Sequence, residues 1–116
     1  MNQSLLTEIA QMEVRSALRS LPEELRLVVA GAPVFFESTP NAEDVAGGVE
    51  PDTLGLYDEG FPDAPTPRIR LWLANLWDFA ENDEAIFRAE VRTTLLHEIG
   101  HVLGWDEHEV EKRGLE

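Results

Sequence analysis

Cysteine is absent from the 116 residues. No disulfide framework can form and no thiolate can ligate a metal, so any metal site in this chain would be built from nitrogen and oxygen donors. Basic residues are few, nine against 23 acidic ones, for a formal net charge of -14. That balance argues against binding nucleic acid or an anionic membrane surface by electrostatics. Acidity of this kind serves solubility or attracts basic substrates. No apolar run approaches membrane-spanning length, and Met1 to Glu8 lacks the basic and apolar regions of a signal peptide, so a cytoplasmic protein is expected. No internal repeat or low-complexity tract is present. What remains is an ordinary globular balance, 43% apolar and 28% charged, in a length that suits a single domain over 1–116.

The chain is organised around Leu95 to Gly104, which contains His97-Glu98-Ile99-Gly100-His101 and a glycine three residues on. At about 100° per residue, His101 lies about 40° around a helix from His97 and one turn along it, so both imidazoles face one point. That arrangement suits a metal ion. Glu98 projects about 60° further round, beside the metal position but angled away from it, as a base acting on water would be. Leu95, Ile99, Val102 and Leu103 fall on the other side and are expected to pack into a core. Two histidines four apart can also be exposed residues or satisfied core groups.

Along the rest of the chain, Ser4 to Ser20 reads as an amphipathic helix with Leu5, Ile9 and Met12 on one stripe and Leu6, Ala10, Ala17 and Leu18 widening it. Ser20-Leu21-Pro22-Glu23 matches a capping box and predicts a short helical turn. Leu27 to Ala30 and Val34 to Ser38 are β-prone runs separated by a bend at Gly31-Ala32-Pro33. Thr39 to Thr53 has neither period and reads as a mobile loop, either a cover for a site or plain surface; its Gly47-Gly48 lacks phosphate-loop spacing. Leu54 to Tyr57 predicts a brief strand, Asp58 to Pro62 a turn, and Pro62, Pro65 and Pro67 a proline-rich link. Arg68 to Leu73 alternates as a half-buried strand does. Leu76 to Ala80 predicts a helical turn with inward aromatics, an aromatic binding platform being the alternative. Asn82 is placed as the cap of a long helix from Asp83 to Leu103, and Asp106 to Arg113 as a last short helix.

His97 to Gly104, HEIGHVLG, resembles the signature of the zincins, zinc peptidases named for HExxH. Around it stand Leu21-Pro22-Glu23-Glu24-Leu25, Leu54-Gly55-Leu56-Tyr57, Arg68-Ile69-Arg70-Leu71 and Glu90 to Leu96, an order that resembles the small bacterial zincin-like metallopeptidase family. The resemblance implies an α+β fold in which the N-terminal helix and the HExxH helix pack on a small mixed β-sheet, with a zinc site in the cleft between helix and sheet. It implies a peptide or protein substrate laid along an edge strand, here Arg68 to Leu73 or Leu54 to Tyr57. It also implies a third zinc ligand beyond His97 and His101. Glu107 occupies the place where the longer metzincin pattern has a third histidine, and the small family tends to carry an acid there; His108 ranks second and Asp106 third. Two histidines with a carboxylate, or three histidines, are both catalytic zinc sets when a fourth position stays open. No methionine follows Met12, so the methionine turn of metzincins is missing.

Two functions fit these residues. The first is a zinc-dependent metallopeptidase in which Glu98 is the general base. Its oxyanion donor is not evident: Tyr57, the only tyrosine, is one candidate, with packing in the sheet as the other account. Thr94 is either a hydrogen-bond partner of a ligand or a routine helix threonine. The second function is a non-catalytic, metal-stabilised protein-binding module. A structural site has no use for an acid beside the first histidine, so Glu98 favours the enzyme.

Overall fold

The computed structural model describes residues 1–104. The expected helix at 106–113 and the candidates Asp106, Glu107 and His108 lie outside these residues. Within them the chain is α+β, in the order α1 (Gln3–Arg19), α2 (Glu23–Val29), β1 (Val34–Glu37), α3 (Ala42–Ala46), β2 (Gly55–Phe61), β3 (Ala64–Trp72), α4 (Leu73–Phe79) and α5 (Glu84–Val102). The three strands form a mixed sheet in the order β1-β3-β2, with β1 parallel to β3 and β2 antiparallel to it. No helix among the described residues is long and apolar enough to cross a membrane.

Helix α1 starts where the Asn2 side chain accepts the Leu5 N–H at 2.9 Å. It buries Leu6, Ile9, Ala10, Val14 and Ala17. The buried face is therefore rotated from the expected stripe, and Leu5 and Met12 are exposed. Against this face packs α5, which contributes Phe87, Val91, Leu95 and Ile99, all fully buried, to a core shared with Ile69 and Leu71 of β3.

Three expectations are corrected by packing. The run Leu27 to Ala30 is helical up to Val29 rather than extended, because Pro22 carbonyl accepts the N–H groups of Leu25 and Arg26 and starts α2. Only Val29 of this run is buried, with Leu27 72% exposed, so no sheet is available to reward its β propensity. Second, Thr39 to Thr53 is not structureless. Asn41 and Asp44 form a reciprocal capping box at the start of α3. Third, the expected turn and proline link are the arms of a β2–β3 hairpin that turns at Pro62 and Asp63.

The prolines of β3 lie ahead of its pairing with β1, whose register begins at Val34 opposite Ile69. On the β2 side, Pro67 falls where the register shifts between Asp58 and Gly60, an irregularity of the kind that accommodates proline in a strand.

From Ile69 to Trp72, strand β3 is buried on both faces, not one. Ile69 and Leu71 face the core, while Arg70 and Trp72 face the opposite side and are equally enclosed. The Arg70 guanidinium contacts Glu37 at 2.9 Å, Asp44 of α3 at 2.6 Å and Asp58 at 3.6 Å, and it lies over the Trp72 ring. The Trp72 indole donates to Glu37 Oε1. This polar layer clamps α3 to the sheet.

Between α4 and α5, Glu81 and Asn82 take left-handed conformations, with φ of 54° and 60°. Asn82 is consequently in the connecting turn, and Asp83 is the cap, accepting the Ile86 N–H at 3.0 Å. Of the aromatics in α4, Trp77 meets Phe87 edge to face at 5.7 Å, whereas Phe79 remains exposed.

Candidate metal and catalytic site

The site lies where the C-terminal half of α5 passes β2. Close approach of the two elements depends on Gly55: a Cβ there would sit 2.7 Å from the Thr94 methyl and 3.1 Å from Leu71. Thr94 is buried in this contact, which accounts for it as a packing residue.

Helical geometry then sets the chemical groups. His97 and His101 project from successive turns, with ring centroids 5.0 Å apart and planes at 75°. Their Nε2 atoms lie 3.3 Å from each other. Two imidazole nitrogens bound tetrahedrally to one zinc ion at about 2.0–2.1 Å would be separated by about 3.3 Å, so the spacing of this pair suits that ion. Ligand atoms of His97, Glu98 and His101 fall within 4.8 Å of one another, the arrangement that could hold a metal. The nitrogen and oxygen donors, with no thiolate in the chain, suit zinc best among abundant divalent ions.

Glu98 is buried, and its Oε1 accepts the main-chain N–H of Tyr57 at 2.8 Å. This bond runs from α5 to β2 and pins the carboxylate beside the histidines. Its geometry also orients the strand. Trp72 N–H donates to Leu54 carbonyl, so alternate residues of β2 face β3, and Gly55 and Tyr57 direct their main-chain groups outward. Among the described residues, no strand pairs with that side of β2. The open edge next to the histidines is thus β2. The alternative edge, Arg68 to Leu73, is excluded because β3 is the central strand.

Tyr57 contributes through its backbone, a role the side-chain reading missed because a main-chain donor leaves no mark on residue identity. Its side chain is partly buried and packs against the core. Burial, with the Glu59 charge adding to it, raises the phenol pKa above the ordinary value. Gly104 ends α5 with φ of 81° and donates its N–H to His101 carbonyl. The glycine after the second histidine is therefore also the helix stop.

No curated protein matches the chain. The family description of zincin-like metallopeptidases matches residues 29–115, three quarters of the sequence, and includes both elements that build the site. A helix carrying HExxH beside an open sheet edge, within that match, means that the chain belongs to the zincin-like metallopeptidase family.

Proposed function

We propose that the chain is a zinc-dependent peptidase that hydrolyses peptide bonds, with His97 and His101 as zinc ligands, Glu107 as the third ligand and Glu98 as the general base. The observation that carries this is the His97–His101 nitrogen pair at 3.3 Å with buried Glu98 between it and an open strand edge. Zinc at such a site supplies a Lewis acid for the scissile carbonyl and lowers the pKa of water to about 7.

The chain's own groups do the rest. An extended peptide adds to β2 through the outward main-chain groups of Gly55 and Tyr57, which fixes the scissile bond over α5. Glu98 takes a proton from the attacking water and delivers it to the leaving amine. The Tyr57 N–H holds one oxygen of this carboxylate and so orients the group beside the histidines. A peptide arriving at the same edge competes for this donor.

Elemental analysis of wild type and His101→Ala, followed by a peptide-cleavage screen with Glu98→Gln as control, tests the proposal. About one zinc per chain, lost in His101→Ala, is expected. Glu98→Gln is expected to retain zinc while cleavage falls by roughly 10²–10⁴-fold. Zinc bound with no peptide cleaved by wild type would favour the metal-stabilised binding module instead.

A further inference from the structure

One carboxylate near the site is unlike the others. Five are half-buried among the described residues: Glu13, Glu37, Asp44, Asp58 and Glu90. Four of them hold an arginine, Glu13 that of Arg88, Glu37 and Asp44 that of Arg70, Asp58 that of Arg68. Glu90 alone has no ion pair among these residues. It is also outside the group of ligand atoms formed by His97, Glu98 and His101.

Glu90 faces a groove of about 240 Å³ that begins at the candidate site and runs toward the N-terminus of α5. Its walls are Leu54 and Gly55 of the sheet side and Thr93, Thr94, His97 and Glu98 of α5, with Glu90 furthest from the histidines along the helix. Seven residues before His97, Glu90 lies about 20° around the helix and about 10.5 Å along it, on the same stripe as the histidines. Arg88 and Arg92 are each about 160° away from Glu90 around that helix. They turn to α1 and the turn after it, Arg88 to Glu13 and Arg92 to Ser20 Oγ. No cation of α5 reaches into the groove.

We propose that this groove is a specificity pocket for a lysine or arginine side chain of the peptide substrate, with Glu90 as the counter-ion. The inference rests on the peptidase reading for its substrate, but not for the binding itself. Leu54, the Thr94 methyl and the bare backbone of Gly55 accommodate an aliphatic stem, and the carboxylate meets the charged head at the far end. Overall charge acts in the same sense: at -14 the chain draws cationic peptides toward it. An acidic side chain at the far end of the groove would face Glu90 with no arginine of α5 beside either.

The test uses the full chain with zinc supplied and three fluorescein-labelled, alanine-rich peptides that differ only in a central arginine, leucine or glutamate. Binding is read by fluorescence anisotropy on Glu98→Gln, in which turnover does not interfere. The arginine peptide is expected to bind about tenfold more tightly than the glutamate peptide. Glu90→Gln in the same background should level that preference, and Glu90→Arg should reverse it, with zinc content and melting temperature confirming that both variants are folded and loaded.

Equal affinity for the three peptides, no binding of any, or an arginine preference that survives Glu90→Arg overturns the pocket. Cleavage of a randomised peptide mixture by wild type separates this result from the parent reading. Cutting with no preference for basic residues leaves the peptidase standing and removes the pocket. An arginine preference in binding that depends on Glu90, without any cutting, keeps the pocket and removes the peptidase.

Discussion

Gly55 decides how near the sheet comes to the histidine helix, and it does so by lacking a side chain. Adding a Cβ brings it to 2.7 Å from Thr94 Cγ2 and 3.2 Å from Arg70 carbonyl. The methyl can move, but the carbonyl belongs to the central strand and cannot. Gly55→Ala should therefore destabilise the protein by roughly 1–3 kcal/mol, the ordinary range for overpacking. Thr94→Ser, which removes the nearer obstacle, should recover part of that loss in the double variant. Urea unfolding of the four proteins checks it; a neutral Gly55→Ala would mean that α5 and β2 are not held this close. Spacing in the sequence revealed His97, Glu98 and His101 because helical periodicity is local. The Tyr57 N–H and the groove at Glu90 were not legible, since both depend on an element 30 or more residues away.

The element that changes most between expectation and structure is the 39–53 segment. Its short helix α3 would be unstable alone, as any five-residue helix is. Arg70 stabilises it by reaching from the central strand to Asp44, and the same guanidinium holds Glu37 and Asp58. The Arg70 hydrogen bond is the main reason that Asp44 is held below the usual carboxylate range. For Asp58 the Gly60 N–H is the first cause and Arg68 contributes further. A carboxylate whose pKa is lower folded than unfolded adds stability above the unfolded value of about 3.9, and that stability is lost as pH falls through the folded value. Unfolding free energy should therefore drop steeply below about pH 4. Arg70→Met should remove roughly 3 kcal/mol at pH 7, the low end for breaking a buried pair because Glu37 and Asp58 can rehydrate, and should flatten the acid limb. A pH series of urea melts on both proteins measures this, and an unchanged acid limb in Arg70→Met would rule out the cluster as its source.

At the scale of the whole molecule, the core and the histidine face are separate. Leu6, Ile9, Val14, Ile69, Leu71, Phe87, Val91, Leu95 and Ile99 form the apolar cluster, and neither His97 nor His101 is part of it. Removing a metal therefore takes away a ligand and leaves the packing. Chelation with EDTA should leave the helical circular-dichroism signal and a cooperative melt, while lowering the melting temperature. Resupplied zinc at about 100 times its dissociation constant should restore about 2.7 kcal/mol. Collapse of the helical signal on chelation would show that the metal is an obligate part of the fold, as in small zinc-dependent domains.

The sequence by itself determined what depends on nearest neighbours and on composition. The excess of acid, the long helix, its apolar side and the two histidines one turn apart all follow from local geometry and counting. Only the tertiary structure decided which strand is central, that the Leu27 to Ala30 run is helical, and that a glycine-rich loop folds against an arginine 26 residues on. Those outcomes rest on contacts between distant segments, whose burial and charge pairing outweigh local propensity. The same holds at the site: periodicity puts the histidines on one face, but the open edge of β2 beside them exists because β3 pairs with β1 on one side and β2 on the other.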